Sequence, residues 1–192
     1  HVERMNEESA NALLKVMEEP PEGVLFLLTA DSLASVLPTI RSRCVSFAVA
    51  PVSPADCTRY CAAQGVDKKT AALYSELFDG HIGTVLDAAR DEARRAQVDK
   101  ALALAKAAAA QDSYAAAVLL AAYEKDKVGA AALLANFRAV AAAGLRGSPR
   151  APVQGDAARK ALAAADAAIQ RLGAQVNPKI VLSVFAAKFR AL

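Results

Sequence analysis

The chain has 192 residues, 55% of them hydrophobic but only 5% aromatic, and a formal net charge of +3. So mild a charge does not by itself indicate nucleic-acid binding. The sequence shows no signal peptide, and we expect no apolar run near the roughly 20 residues of a membrane span. The first fifty residues carry 4 basic and 7 acidic side chains, so the basic surplus lies in the remainder. Alanine is concentrated there, which predicts helix because Ala has the highest helix propensity.

The three cysteines are Cys44, Cys57 and Cys61. An odd number without framework spacing is typical of a reducing compartment, and we expect a cytoplasmic protein. Cys57 and Cys61 are four residues apart on a predicted helix and could share a face. Neither histidine, His1 or His81, is near them in the sequence, so we expect buried small side chains and no metal site.

Residues 6–21 predict a helix that Asn6 caps, that two prolines end, and that carries an apolar stripe of period 3.6. The stripe consists of Ala10, Leu13, Leu14 and Met17. The segment VLFLLT, 24–29, is apolar without alternation, which predicts a strand covered on both faces of a parallel sheet. The alternating segment 45–49 predicts a second strand. A helix followed by a buried strand is half of an α/β repeat, so we expect the rest of the sheet upstream, in a longer protein.

Three short helices are predicted within residues 51–90. Ser53 caps the first of them. The second is capped by Asp67 and stopped by Gly80. The third begins at His81, which we interpret as a helix-start residue rather than a catalytic group, because no nucleophile or second ligand is near it in the sequence.

Residues 91–192 are helical by pattern, apart from a Pro- and Gly-containing loop at 148–155. Residues 112–147 predict one long helix or two shorter ones, with Gly129 as a possible break. The last helix has Asn177 as its cap and an apolar face. The many small side chains imply closely packed helices, and Ala-rich helices can also serve as an association surface. The sequence does not separate these two uses.

Three elements stand at a fixed spacing: NALLKVMEEPP, VLFLLTA and LPTIRSRC. In this combination residues 6–44 resemble bacterial clamp-loader subunits of the AAA+ ATPase superfamily, whose signature is SRC. The ending, NPKIVLSVFAAKFRAL, is similar to that of delta-prime subunits. The resemblance implies an α/β plus all-α fold that is mostly α. It implies the end of an AAA+ α/β domain at 1–50, a three-helix lid at 51–90 and a helical collar for oligomerisation at 91–192.

The family includes ATP-hydrolysing gamma/tau subunits and the non-hydrolysing delta-prime subunit. Counting back from SRC places Ala30 where the family has a γ-phosphate-sensing Thr. The lid arginine of hydrolysing members is matched by Gly83, which cannot offer phosphate a cation. The chain therefore resembles the delta-prime type, which implies a component of the DNA polymerase III holoenzyme without catalytic activity of its own. The alternative is a gamma/tau-type ATPase with its own nucleotide site upstream.

The SRC arginine of this family acts in trans, in the ATP site of a neighbouring subunit. By resemblance Arg43 is such an arginine finger, because a planar, permanently charged guanidinium can meet two phosphoryl oxygens at once. Ser42 is expected to position the turn and Cys44 to pack. Arg41 has no family assignment, and we interpret it as a solvated charge.

Lys15 lies opposite the apolar stripe of the first helix. In clamp loaders the matching lysine lines the central chamber and can meet primer–template DNA phosphates; an ordinary solvated lysine is the alternative. Glu18 to Pro21 are expected to end the helix, without chemistry. The resemblance implies partners in a hetero-pentamer of gamma/tau and delta subunits, with the sliding clamp and primer–template DNA reached through the complex. It implies no cofactor of the chain's own, ATP bound by the neighbour, and no membrane.

Overall fold

A computed structural model describes all residues, 1–192, as a mostly helical chain without β-strands. The chain divides into two compact units, His1–Ala50 and Pro51–Leu192. Each unit has its own hydrophobic cluster of buried side chains. The mostly helical character predicted from the sequence is confirmed.

The first unit contains two helices, α1 (Glu7–Glu18) and α2 (Pro38–Arg41). Asn6 caps α1 as predicted, since its side chain accepts a hydrogen bond from the backbone N–H of Ser9 at 2.8 Å. The apolar stripe predicted on α1 packs against residues within α2 and on either side of it. The buried members of this cluster are Ala10, Val36 and Ile40, and Leu13, Leu14, Met17, Leu28 and Cys44 are among those partly buried against them.

The prediction of two strands is wrong for this structure. Residues 24–29 and 45–49 form neither a helix nor a strand, and neither segment pairs in a sheet. Leu25 and Leu27 are 90% and 88% exposed, although the sequence predicted a strand covered on both faces. No backbone hydrogen bond joins 45–49 to another segment. A strand needs neighbours for its N–H and C=O groups, and no neighbouring strand is present in this structure to provide them.

The second unit is built only from α-helices and a final 3-10 turn. Its helices are α3 (Pro54–Ala63), α4 (Lys68–Leu77), α5 (Ile82–Arg90), α6 (Glu92–Ala109), α7 (Ser113–Ala121), α8 (Lys127–Leu145), α9 (Gly155–Gly173) and α10 (Pro178–Ala187). The predicted caps Ser53, Asp67 and Asn177 each accept a backbone hydrogen bond from two or three residues further on, at 3.1, 3.0 and 2.9 Å. His81 stands at the N-cap of α5, the helix-start position predicted for it.

The sequence left open whether one helix or two follow residue 112, and the structure has two, α7 and α8. The chain breaks before Asp126 rather than at Gly129. The Asp126 side chain caps α8 by accepting a hydrogen bond from the Gly129 N–H at 2.9 Å. A Cβ at Gly129 would approach the Asp126 carboxylate to 2.1 Å, so glycine fits beside the cap.

Helix α8 is the central helix of the second unit and packs against α6 and α9. Its Phe137 ring lies against Phe185 and Phe189 on the last turns of the chain, with centroids 5.2 to 5.8 Å apart within the trio. All three rings are buried. This aromatic group therefore ties the C-terminal end of the chain to the central helix.

By length and composition alone, α8 could also cross a membrane. The expectation that no apolar run approaches that length is therefore wrong for this helix. Its one charged side chain after the first residue, Arg138, pairs with Asp166 of α9 at 2.5 Å. Buried residues along α8 form much of the core of the unit. These are the features of a core helix.

The regions expected as lid and collar share one continuous hydrophobic cluster. Glu76 on α4 joins them by polar contacts as well. Its carboxylate accepts from the Ser148 hydroxyl and the Arg150 guanidinium, and Arg146 donates to its backbone carbonyl at 3.2 Å. Gly144 on α8 permits close approach of the same loop, because a Cβ there would lie 1.8 Å from the Val153 carbonyl oxygen.

Candidate functional site

The SRC segment directly follows α2, and the packing of α2 against α1 fixes its position. Ile40 of α2 is almost fully buried against Ala10 of α1. After α2 the chain makes a turn in which the Ser42 N–H donates to the Pro38 carbonyl at 2.9 Å. Cys44 is partly buried against the same cluster. The short helix thus places the two residues before Cys44 at the surface of the first unit.

The Arg43 guanidinium is held by acceptors of its own chain. Its Nη1 donates to the Thr39 carbonyl oxygen at 3.0 Å and approaches the Ser42 hydroxyl at 3.4 Å. Its Nη2 donates to the carboxylate of Glu18. The Arg43 side chain remains 37% exposed. It is therefore an oriented surface cation that is still within reach of another molecule.

Ser42 takes part in the same arrangement. Its hydroxyl donates to the Thr39 carbonyl oxygen at 3.0 Å. The same oxygen also accepts a hydrogen bond from Arg43 Nη1. The hydroxyl and the guanidinium thus share one backbone acceptor at the end of α2. This geometry is compatible with the positioning role that the sequence suggested for Ser42.

Glu18 is the residue of this site that sequence reasoning missed. It is the last residue of α1 and was expected only to end the helix. It lies 25 positions before Arg43, and no local pattern joins two residues at that separation. Only the packing of α1 against α2 brings them together, so no signal in the sequence alone indicates the pair.

The other two cations that the sequence singled out stand apart from this arrangement. Arg41 and Lys15 are both exposed, and neither side chain makes an ion pair or a hydrogen bond. Lys15 is on α1, three residues before Glu18, but no hydrogen bond or ion pair joins it to Glu18 or Arg43. The structure therefore joins Arg43 and Ser42 and leaves Lys15 as a separate surface charge.

Two glycines, Gly80 and Gly83, lie at the start of the predicted third lid helix. The structure leaves no room for a side chain at Gly80 but has room for one at Gly83. Gly80 has φ +73°, and a Cβ there would lie 1.8 Å from the Val52 carbonyl oxygen. Gly83 is exposed with open space around its Cα. A side chain would therefore fit at Gly83, where this chain has none.

The buried cysteine pair faces the core. Cys57 and Cys61 are fully buried on α3, with their Sγ atoms 4.0 Å apart. Burial, reinforced by the neighbouring Cys57, raises the pKa of Cys61 from 9.0 to about 11. A thiol that stays protonated at neutral pH is a poor metal ligand and a poor nucleophile. The observed placement is the buried one that the sequence favoured.

The raised pKa of Cys61 predicts a stability loss at alkaline pH. In the unfolded chain the thiol ionises around pH 9, whereas the folded chain holds its proton to about pH 11. The free energy of unfolding should therefore fall as pH rises above 9 and level off above 11. Urea unfolding of the chain at pH 8 and pH 10.5 measures this fall. Cys61→Ala should show a smaller fall, and equal falls in the two proteins would contradict the assignment.

A second group of potential ligands lies in the first unit. His1 Nδ1 is 2.9 Å from a Glu3 carboxylate oxygen and 3.5 Å from one of Asp31. His1 and Asp31 are exposed, and a hydrogen bond between His1 Nδ1 and Glu3 accounts for the close approach of those two side chains. No hydrogen bond or ion pair joins this group to Arg43, so it is not part of the candidate site.

Comparison with known proteins finds matches to part of the chain. Residues 1–53 match the family described as DNA polymerase III, delta subunit. A DNA polymerase III subunit delta' of Haemophilus influenzae is 62% identical over 42 residues, 22% of this chain and 13% of that protein. The delta' subunit of Yersinia pestis is 45% identical over 60 residues, 31% of this chain and 18% of that protein.

A gamma subunit is also similar. The DNA polymerase III subunit gamma of Buchnera aphidicola subsp. Schizaphis graminum is 40% identical over 55 residues, 29% of this chain and 15% of that protein. The chain thus covers less than a fifth of the length of each of these three relatives. The family match includes α1, α2 and the whole Arg43 arrangement. Over residues 1–53, the chain thus resembles the delta-prime subunits of the bacterial DNA polymerase III clamp loader.

Proposed function

We propose that this chain is part of a delta-prime-type clamp-loader subunit, a non-hydrolysing scaffold that supplies Arg43 in trans to the ATP site of a neighbouring subunit. One observation carries the proposal. Within the segment that matches the family, Arg43 is oriented by its own chain and still reaches the surface. Its role would be in DNA replication, during loading of the sliding clamp.

Arg43 would act by electrostatics rather than by covalent chemistry. Phosphoryl transfer spreads negative charge over the equatorial oxygens of the γ-phosphate. A guanidinium that is already oriented stabilises that charge without having to reorganise during the reaction. Ser42 would help by holding the turn through the Thr39 carbonyl. ATP would be bound by the neighbour, so this chain would need no cofactor of its own.

The two remaining regions would serve assembly. Residues 51–90 would form the lid and residues 91–192 the collar that joins gamma/tau and delta subunits in a hetero-pentamer. The Ala-rich helices of the second unit, which can serve as an association surface, motivate this part of the proposal. The sliding clamp and primer–template DNA would be reached through the complex, in the cytoplasm.

The second candidate is a gamma/tau-type ATPase subunit with its own nucleotide site. The similarity to the Buchnera gamma subunit favours it. Gly83 counts against it, because a glycine stands where hydrolysing members have the lid arginine that would meet a nucleotide held by the same subunit. Binding of a fluorescent ATP analogue to the full-length protein separates the two candidates, since a scaffold subunit leaves the analogue free.

The experiment that tests the proposed function is ATP hydrolysis by a clamp loader reconstituted with Arg43→Ala. Loss of hydrolysis in a complex that still assembles supports a finger supplied in trans. Unchanged hydrolysis at saturating clamp and DNA contradicts it.

We also propose that Lys15 contacts primer–template phosphates from its exposed position on α1. Lys15→Ala should then weaken DNA binding by the assembled loader equally for all sequences. It should also reduce the slope of log affinity against log salt concentration by about 1, because one counterion fewer is released. Fluorescence anisotropy across a salt series measures both. Lys69→Ala, which removes an exposed lysine from α4, is the control, and identical slopes in all three proteins would leave Lys15 an ordinary solvated charge.

A further inference from the structure

Glu18 bonds to Arg43 from the end of a different helix. The Glu18 carboxylate at the C-terminus of α1 accepts from Nη2, while the Thr39 carbonyl in α2 accepts from Nη1 at 3.0 Å. The two acceptors thus bond to the two terminal nitrogens of the planar Arg43 guanidinium. Because α1 and α2 pack through Ala10 and Ile40, the core of the first unit sets the distance between these acceptors.

The guanidinium keeps donors free while it is held. Its contacts use Nη1 towards Thr39 and Ser42, and Nη2 towards Glu18. A guanidinium has five N–H donors, so the Nε–H and at least one further N–H have no partner. Arg43 can therefore keep Glu18 and Thr39 while it offers the free donors to an oxyanion of another molecule.

The negative charge of the Glu18 carboxylate is unfavourable at this position unless a cation lies near it. The C-terminus of a helix carries partial negative charge, which disfavours a carboxylate there. Arg43 offsets this for Glu18, whereas the neighbouring Glu19 has no such partner. The Arg43 and Glu18 side chains are 37% and 52% exposed. Exposed pairs of this kind contribute little to stability. Stability alone is therefore a weak explanation for the contact, whereas orientation of Arg43 accounts for it.

We propose that Glu18 is a positioning residue for Arg43, holding the guanidinium in the orientation in which it meets a neighbour's phosphate. The proposal rests on the proposed function, since it assumes that Arg43 acts in trans. Glu18 touches neither the nucleotide nor the reacting atoms and acts only through Arg43. Without it, the Arg43 side chain regains rotamer freedom, and part of the preorganisation is lost.

The test uses a reconstituted clamp loader containing this chain as part of its full-length subunit. Glu18→Ala should lower kcat for ATP hydrolysis about tenfold, equivalent to about 1.4 kcal/mol of transition-state stabilisation, and leave KM for ATP unchanged. Glu18→Gln should fall between Glu18→Ala and wild type, because the amide oxygen still accepts a hydrogen bond but carries no charge. Glu19→Ala is the matched control and should leave kcat unchanged.

A double mutant separates positioning from a general structural effect. In the Arg43→Ala background, Glu18→Ala should cause no further loss, because Glu18 acts only through Arg43. An additional loss of the same size in that background would overturn the proposal. An unchanged kcat for Glu18→Ala on its own would overturn it as well.

Failure of the proposed function can be told apart from failure of this inference. If Arg43→Ala leaves hydrolysis unchanged, the finger role is wrong and the proposal for Glu18 in catalysis falls with it. The Nε–H signal of Arg43 in the ¹⁵N NMR spectrum of the chain tests the positioning itself. Glu18→Ala should lower its order parameter and Glu19→Ala should not. An unchanged order parameter in Glu18→Ala would overturn positioning even if Arg43 proves essential.

Discussion

Arg43→Ala is expected to lower ATP hydrolysis at the neighbouring site on the order of 10³-fold, while the complex still assembles. The side chain is partly exposed and makes only surface hydrogen bonds, to Thr39, Ser42 and Glu18, so its loss should not unfold the first unit. Arg43→Lys should recover little, because a single ammonium group cannot meet two oxygens as the planar guanidinium does. Single-turnover hydrolysis at saturating clamp and primer–template DNA measures the effect, and size-exclusion chromatography measures assembly.

Arg41 provides a matched control two residues away. It is also an exposed arginine, but it makes no ion pair or hydrogen bond in the structure. Arg41→Ala should leave both hydrolysis and assembly unchanged. Equal losses in the two variants would mean that the positive charge of the segment matters rather than the oriented guanidinium of Arg43. Such a result would contradict the specific role given to Arg43.

Phe137→Ala is expected to have the largest effect on stability, a loss of about 3–5 kcal/mol in the free energy of unfolding of the second unit. The ring is fully buried on α8 and packs against Phe185 and Phe189 at 5.3 and 5.8 Å. Its removal would leave a cavity at the point where the C-terminal helix joins the central one. Urea unfolding followed by circular dichroism measures the loss.

Tyr114→Ala is the control for this substitution. The Tyr114 ring is 79% exposed on α7, so its loss should change the free energy of unfolding by no more than about 0.5 kcal/mol. If Phe137→Ala cost less than about 1 kcal/mol, the aromatic group could not be what holds the end of the chain to α8.

Helix starts could be predicted from the sequence because capping is local. Asn6, Ser53, Asp67 and Asn177 were each expected as caps, and each accepts a backbone hydrogen bond from two or three residues further on. The same local chemistry fixes the start of α8 at Asp126. There the glycine suggested the break, although the aspartate three residues earlier is what begins the helix.

Strands depend on distant partners, and the prediction of two of them is wrong for that reason. The apolar segment 24–29 has the composition of a buried strand, but a run of residues cannot specify which neighbour will pair with it. In this structure Leu25 and Leu27 remain exposed. The composition of the segment therefore indicated a burial that this structure does not show.

The residues of the candidate site also divide into those that the sequence indicated and one that only the fold shows. Arg43 and Ser42 could be singled out because SRC is a short motif that carries a family resemblance. Glu18 could not, since its contact with Arg43 exists only after α1 has packed against α2. The sequence thus indicated the group expected to act on a neighbour, and the fold was needed to find what orients it.

The central claim is that Arg43 acts outside its own subunit. A structure of the assembled clamp loader with a transition-state analogue of ATP hydrolysis tests this most directly. We predict an Arg43 guanidinium nitrogen about 2.7–3.1 Å from the γ-phosphate mimic bound by a neighbouring subunit. An Arg43 side chain directed into solvent, with a cation from another subunit at that phosphate, would contradict the account.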